Sequence, residues 1–287
     1  MPLHVMLADS QGQKRGETLQ YKLVVSDIDG TLINDENILL PSTEKTIREL
    51  VNLGVLFATV SARTISYTEN AISTLKDVCC ANAHVNGAFV EASNGDVLLD
   101  KPLEDGDTSF LIEELNHAQA SFCCISKYNA IARLTNPDVS KGFNLHHGTF
   151  TERAIIDTPP LKTYLIAAEA KDMQSVVDAA ARRRLDIEKS PIVQSTMTGR
   201  EVLFFQKKCT SKEAAMRSIA EGYGIDLSET IAIGDSTLND TPMIEAAGCG
   251  VAMKNSDNAL FSKAKTYTEK DNNEDGVGVF LRRLFGL

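Results

Sequence analysis

An α/β fold is predicted for this chain: a doubly wound parallel sheet interrupted by an inserted α+β unit. Short apolar, β-branched runs alternate with helical stretches at the start, the signature of a parallel sheet covered by helices. The alternation breaks after Asn86-Gly87-Ala88 and resumes from Lys212 to the end.

Residues 1–20 are polar and weakly patterned, a leader of no assigned role that lacks the basic start and apolar core of a secretory signal. Lys22-Leu23-Val24-Val25-Ser26 reads as a buried parallel strand and runs into the polar loop Asp27-Ile28-Asp29-Gly30-Thr31. A helix follows from about Ser42, with Ser42 or Thr43 as its cap and Ile47, Leu50 and Val51 on one face. Residues 55–60 form the next strand, which ends in Ser61-Ala62-Arg63-Thr64, and a helix then runs through Ile72. Apolar runs at 89–91 and 97–99 flank Ser93-Asn94-Gly95-Asp96, a strong hairpin signal.

A helix near 108–119, strands near 122–126 and 130–134, and an irregular stretch to Pro160 follow. A strand at 161–168, a helix at 173–184 and strands near 192–196 and 201–205 complete an insert placed at residues 89–203. Residues 21–88 and 204–287 then make up the core. In its second half, 212–221 is helical, and the strand 230–233 delivers Gly234-Asp235. A helix at 243–247, strands at 250–252 and 266–268, and a closing helix at 279–285 follow.

The chain has 287 residues, which suits two domains; 43% are apolar and 24% charged, as in a soluble globular protein. Its net charge is −10, and its longest basic run, Arg182-Arg183-Arg184, reads as a solvated helix face. An acidic chain without a basic block argues against a nucleic-acid partner. No apolar stretch approaches the ~20 residues of a membrane span. Six cysteines include the neighbours Cys79-Cys80 and Cys123-Cys124 but no C-x-x-C pair. They read as buried free thiols in a reducing cytoplasm.

Asp27, Ser61 and Asp235 each lie just past the carboxyl end of an expected strand. Ligands of open α/β sheets bind outside those ends, so the three are expected to converge. Each residue alone has a plainer reading. Ser61 can be a helix cap, Lys212 a surface lysine, and Asp240 the cap of a helix near Pro242. Asn86 can be a turn residue, and His146-His147 a solvated loop or a substrate contact. Arg200 and Glu201 border the second junction and stay open between these kinds of reading.

Taken together, the motifs resemble the haloacid dehalogenase superfamily. Asp27-Ile28-Asp29-Gly30-Thr31 is similar to its first motif, Ser61 to its second and Lys212 to its third. Gly234-Asp235 through Asn239-Asp240 is similar to its fourth. The insertion after Asn86-Gly87-Ala88 resembles the Cof-like phosphatases, which carry a large α/β cap between motifs two and three. Val251-Ala252-Met253-Lys254-Asn255 and Asn273-Glu274-Asp275-Gly276-Val277 also match. Three positions depart from the pattern. Ala62 and Glu213 stand where glycine is common, and four residues separate Asp235 from Asp240 where close relatives have three.

The resemblance implies a Rossmann-like core, an inserted α+β cap domain and a Mg²⁺-dependent phosphatase acting on a small phosphorylated metabolite. A sugar phosphate or a phosphorylated cofactor is the implied substrate class. Asp27 is the implied nucleophile, forming an aspartyl-phosphate, and Asp29 the acid and base. Lys212 would neutralise Asp27 and the phosphate. Gly30, Thr31, Ser61, Ala62, Lys212 and Asn239 would hold phosphoryl oxygens. Asp27, Asp29 (by its main-chain oxygen) and Asp235 would ligate the metal, with Asp240 supporting them from behind. Arg63, Asn86, Gly87 and Asn255 are candidates for substrate or cap-junction contacts. Phosphotransfer to a sugar, as in a phosphomutase, and a non-catalytic phosphate sensor are the alternative functions.

Overall fold

The computed structural model describes residues 20–134, 150–152, 156, 162–169, 173–190, 193–194 and 201–287. The expected leader up to residue 19, His146, His147 and Arg200 lie outside the described residues.

The chain opens with β1 (Leu23–Ser26), α1 (Pro41–Asn52), β2 (Leu56–Val60), α2 (Ile65–Ala71) and β3 (Cys79–His84). A hairpin of β4 (Phe89–Ala92) and β5 (Val97–Asp100) follows. The insert holds α3 (Asp105–His117), β6 (Phe122–Ile125), β7 (Ala130–Arg133), β8 (Phe150–Glu152), β9 (Leu165–Glu169) and α4 (Gln174–Arg183). It ends with β10 (Ile187–Lys189), β11 (Val193–Gln194) and β12 (Glu201–Lys207). The chain then returns through α5 (Lys212–Gly222), β13 (Thr230–Gly234), α6 (Thr241–Ala246) and β14 (Cys249–Ala252). α7 (Asn258–Phe261), β15 (Thr266–Tyr267) and α8 (Gly276–Phe285) close it.

The first sheet has the order β15-β14-β13-β1-β2-β3-β4-β5. It is parallel from β15 through β3, and β4 and β5 extend it antiparallel. Residues along a strand point alternately to the two faces. Val25, Ala58, Val60 and Ala232 pack against Met216 and Ile219 of α5 and Ile244 of α6. Val24, Phe57, Ile231 and Ile233 pack on the other face against Ile47 and Leu50 of α1 and Leu281 of α8. Both faces are covered, as a doubly wound sheet requires.

Two expectations are corrected here. The hairpin is expected in the insert, but β4 pairs with β3 and β5 with β4, so both strands belong to the first sheet. The reason is β3 itself, a strand missed in the sequence because Cys79-Cys80-Ala81-Asn82-Ala83-His84 has no β-branched residue. Its outer edge offers unpaired N–H and C=O groups, and β4 covers them. The first sheet ends at Asp100 and the last insert strand at Lys207, so the insert lies within residues 101–211 rather than 89–203. Helix α1 begins at Pro41, so neither Ser42 nor Thr43 caps it. Thr43 instead donates to the Asp275 carboxylate at 2.5 Å, tying α1 to the start of α8.

The insert has its own sheet, ordered β10-β12-β9-β6-β7-β8 with β11 on β12. One face carries α3 and α4, through Leu111, Leu115, Val176 and Ala180 against Phe122, Cys124 and Ile166. The other face, with Cys123, Ile125, Ala132 and Leu165, packs on Ile65, Val85, Ala88 and Phe89 of the core unit. Polar bonds reinforce this seam: Ile65 N–H donates to Lys127 O at 2.8 Å. The Tyr164 hydroxyl donates to Asp100 at 2.7 Å.

His84 is sealed beside that seam, with Nδ1 3.1 Å from the Thr68 hydroxyl and its ring stacked on Phe89. Burial, aided by the Lys127 ammonium, pushes its pKa down from 6.5 to about 3. The folded state therefore holds His84 neutral where the unfolded chain protonates it. Stability from this group is complete above pH ~6.5 and is lost as the pH falls toward 3. Denaturant titrations between pH 6 and 4 are expected to show wild type losing up to ~1.4 kcal/mol more per pH unit than His84→Gln. Equal slopes would refute this account of His84.

Candidate active site

Register brings the strand-end residues together. Ser26 aligns with Ile233 of β13 and with Thr59 of β2. Asp27, Ser61 and Asp235 thus emerge side by side at the carboxyl edge. Asp27 N–H donates to Ile233 O at 2.9 Å, fixing the first of them. Beyond it Asp29 is extended and Gly30 takes φ 69°. A Cβ on Gly30 would lie 2.4 Å from Asp235 Oδ2, so only glycine lets the loop lie against that carboxylate. Thr31 donates its hydroxyl to Asp235 Oδ1 at 3.2 Å, and Asn255 Nδ2 donates to Gly30 O at 2.8 Å.

Lys212 opens α5 but is not at the surface: it is 3% exposed. The helix is capped by Ser211, whose side chain accepts from Ala214 N–H, leaving the lysine to turn inward. Its Nζ donates to Asp27 Oδ1 and to Asp240 Oδ1, each at 2.7 Å. Asp240 Oδ2 accepts from Asp235 N–H at 3.0 Å and from Ser236 N–H at 2.9 Å. Asp240 therefore makes no side-chain cap to α6, although Pro242 lies in that helix's first turn. Its carboxylate closes the motif-four loop and holds the lysine. Asn239 sits half-buried on the same loop.

Asp27, Asp235 and Asp240 each bring an oxygen within 4.8 Å of the others. One buried ammonium faces three carboxylates. Burial drives the Asp27 pKa well above the usual range; Lys212 opposes this, while Asp240, Asp235 and Asp29 add to it. Burial and the Asp240 charge raise Asp235 to about 6. Burial lowers Lys212, but the Asp240 and Asp27 carboxylates outweigh it and hold the ammonium protonated. Hard oxygen donors with uncompensated negative charge fit Mg²⁺. Both oxygens of Asp240 are engaged, which leaves one oxygen each of Asp27 and Asp235 that could hold a metal.

Arg63 is 4% exposed and forks onto Asp29, with Nε to Oδ2 at 2.9 Å and Nη2 to Oδ1 at 2.5 Å. Nη2 also donates to Asn37 Oδ1 at 2.7 Å. The guanidinium is thus committed to Asp29 and the 34–38 turn. Asn37, which takes φ 60°, is a partner that the local sequence does not mark. Ser61 Oγ accepts from Arg63 N–H at 3.1 Å, so it supports the following turn and does not cap α2, which starts at Ile65. Ala62 keeps a φ outside the positive range, so the position needs no glycine. Glu213 lies in the first turn of α5 and pairs with Arg217 at 2.7 Å, away from the cluster.

Asn86 and Gly87 lie between these loops. Asn86 N–H donates to Ser61 O at 3.0 Å, and its Nδ2 donates to Gln206 Oε1 of β12 at 2.9 Å. A Cβ on Gly87 would lie 2.3 Å from Ser211 O. Glu201 opens β12 and is exposed.

Residues 24–281 match the family of haloacid dehalogenase-like hydrolases. A 5-amino-6-(5-phospho-D-ribitylamino)uracil phosphatase of Bacillus subtilis is 29% identical over 266 residues, spanning 93% of this chain and 96% of the relative. A phosphoglycolate phosphatase of Methanopyrus kandleri is 26% identical, spanning 91% of this chain and 96% of that protein. The fold superposes on a haloacid dehalogenase-like hydrolase of Bacteroides thetaiotaomicron with a TM-score of 0.78 at 22% identity, covering 92% of this chain and all of that one. With its motif residues gathered at one edge of the parallel sheet, the chain belongs to the haloacid dehalogenase-like hydrolases and is a phosphoric monoester hydrolase of the Cof-like kind.

Proposed function

We propose that this phosphatase hydrolyses small phosphorylated metabolites through an aspartyl-phosphate on Asp27, with Mg²⁺ held by Asp27, Asp235 and the Asp29 main-chain oxygen. The observation that carries this reading is the Lys212 ammonium buried between Asp27 and Asp240, with Asp235 beside them. When bound, the metal supplies positive charge against the phosphoryl oxygens.

The Asp27 carboxylate attacks phosphorus, the ester P–O bond breaks, and its electron pair passes to the leaving oxygen. Lys212 orients Asp27 and offsets charge on the phosphoryl group. Asp29 protonates the leaving oxygen, which requires one carboxylate oxygen to leave the Arg63 fork. Water then attacks the aspartyl-phosphate, Asp29 takes its proton, and phosphate departs as the Asp27 carboxylate is restored. Thr31, Ser61 and Asn239, with backbone N–H groups near Gly30 and Ala62, face phosphoryl oxygens. Asn255 steadies the Gly30 loop.

The insert acts as the cap that covers the leaving group and excludes water. Its apolar seam with the core supports that role. Sugar phosphates and phosphorylated cofactors or their precursors are the substrates this reading favours; the ribitylaminouracil phosphatase of B. subtilis supports the latter. Among the described residues no helix is long and apolar enough to cross a membrane. All six cysteines are free and five are buried, which suits the reducing cytoplasm we assign.

Asp27→Asn is expected to lower Mg²⁺-dependent hydrolysis of p-nitrophenyl phosphate by about 10³-fold or more. Full activity in that variant would sink the nucleophile assignment. Mg²⁺ at a hundred times its Kd should stabilise wild type by about 2.7 kcal/mol in thermal melts. Asp235→Asn should lose most of that gain, and an unchanged Mg²⁺ shift would remove Asp235 from the ligand set.

A further inference from the structure

The turn after β3 is strained where it meets both active-site loops. Val85, Asn86 and Gly87 take φ of 51°, 57° and 83° in succession. A β-branched residue at positive φ is a genuine outlier, and such strain persists where the surroundings enforce it. Here the enforcement is visible. Val85 N–H donates to Arg63 O at 2.9 Å, and Asn86 N–H to Ser61 O at 3.0 Å. Gly87 packs directly on Ser211 O, one residue before Lys212.

The Asn86 side chain is locked in one orientation. Gln206 Nε2 donates to Glu188 Oε1 at 2.9 Å and to Thr210 O at 2.6 Å. Gln206 Oε1 must therefore be the acceptor that faces Asn86, and Asn86 Nδ2 the donor. That choice turns Asn86 Oδ1 away from Gln206, and Oδ1 is buried without a partner. The Thr64 and Thr210 hydroxyls are also buried and unpartnered. Thr64 follows Arg63 and Thr210 precedes Ser211, so both adjoin in the chain the residues that the 85–87 turn contacts. Buried polar atoms without partners are rare, and a ligand is one cause.

The neighbouring cations do not serve this oxygen. Arg63 is forked onto Asp29 and Lys212 sits between Asp27 and Asp240. Nor can Oδ1 hold phosphate, whose oxygens are themselves acceptors. It suits a donor on the rest of the substrate.

We propose that Asn86 is a specificity-determining residue whose Oδ1 accepts a hydrogen bond from a hydroxyl of the leaving group, selecting phosphate esters of polyhydroxylated alcohols. Gln206 is its positioning residue, acting only by fixing the Asn86 amide. This inference rests on the phosphatase reading above and adds the chemistry of the leaving group.

The test compares two six-carbon esters, sorbitol 6-phosphate and n-hexyl phosphate, by the ratio of their kcat/KM values. Wild type should favour the polyol ester. Asn86→Gly accepts the positive φ and should lower the ratio about tenfold, the loss of one neutral hydrogen bond. Gln206→Met leaves Asn86 in place but frees its amide, and should lower the ratio in the same direction. A ratio unchanged in both variants, with both esters slowed equally, would make the turn merely structural and overturn the inference. So would a wild type with no preference for the polyol ester, while leaving the phosphatase reading standing. Hydrolysis of neither ester, nor of p-nitrophenyl phosphate, would overturn both.

Discussion

The Lys212 ammonium, buried between Asp27 and Asp240, is the contact on which the site depends. Two charges of one sign cannot be buried together without a partner of the other sign. Asp27 comes from the first strand and Asp240 from the loop after β13, so the lysine ties the start of the fold to its second half. Asp240 in turn holds the backbone that presents Asp235. One ammonium does not balance three carboxylates; burial first, and then this excess of negative charge, holds the pKa values of Asp27 and Asp235 up. A divalent cation is the simplest species that removes the excess.

A second arrangement surrounds this centre. The turn at 85–87 is bonded to the Ser61–Arg63 loop, and its asparagine is bonded to the last strand of the insert. The insert sheet lays one face on Ile65, Val85 and Phe89. The Ser61–Arg63 loop and the insert sheet are thus mechanically joined through this turn. On the reading proposed above, substrate choice and phosphoryl chemistry would meet at Asn86 and Gln206.

Much of this was legible in the sequence because parallel strands are buried on both faces and announce themselves as apolar, β-branched runs. Leu23–Ser26 and Thr230–Gly234 are of this kind, and each is followed by a carboxylate. β3 was not legible, since cysteine, alanine, asparagine and histidine carry little strand signal. Missing it shifted the insert boundary by a whole hairpin. The partners of Arg63, and of Asn86 with Gln206, were hidden for another reason. They depend on side chains meeting across 34 and 120 residues of chain, a matter of tertiary geometry that no local spacing records. Ser61 lies just past the end of β2, and its bond to Arg63 N–H only the fold reveals.

The most direct test of the central claim is anomalous diffraction from crystals soaked in Mn²⁺ as a stand-in for Mg²⁺. One anomalous peak is predicted within about 2.5 Å of carboxylate oxygens of both Asp27 and Asp235. Asp240 should remain on Lys212 and the backbone. A peak ligated by Asp240 instead, or no peak at this edge of the sheet, would contradict the account.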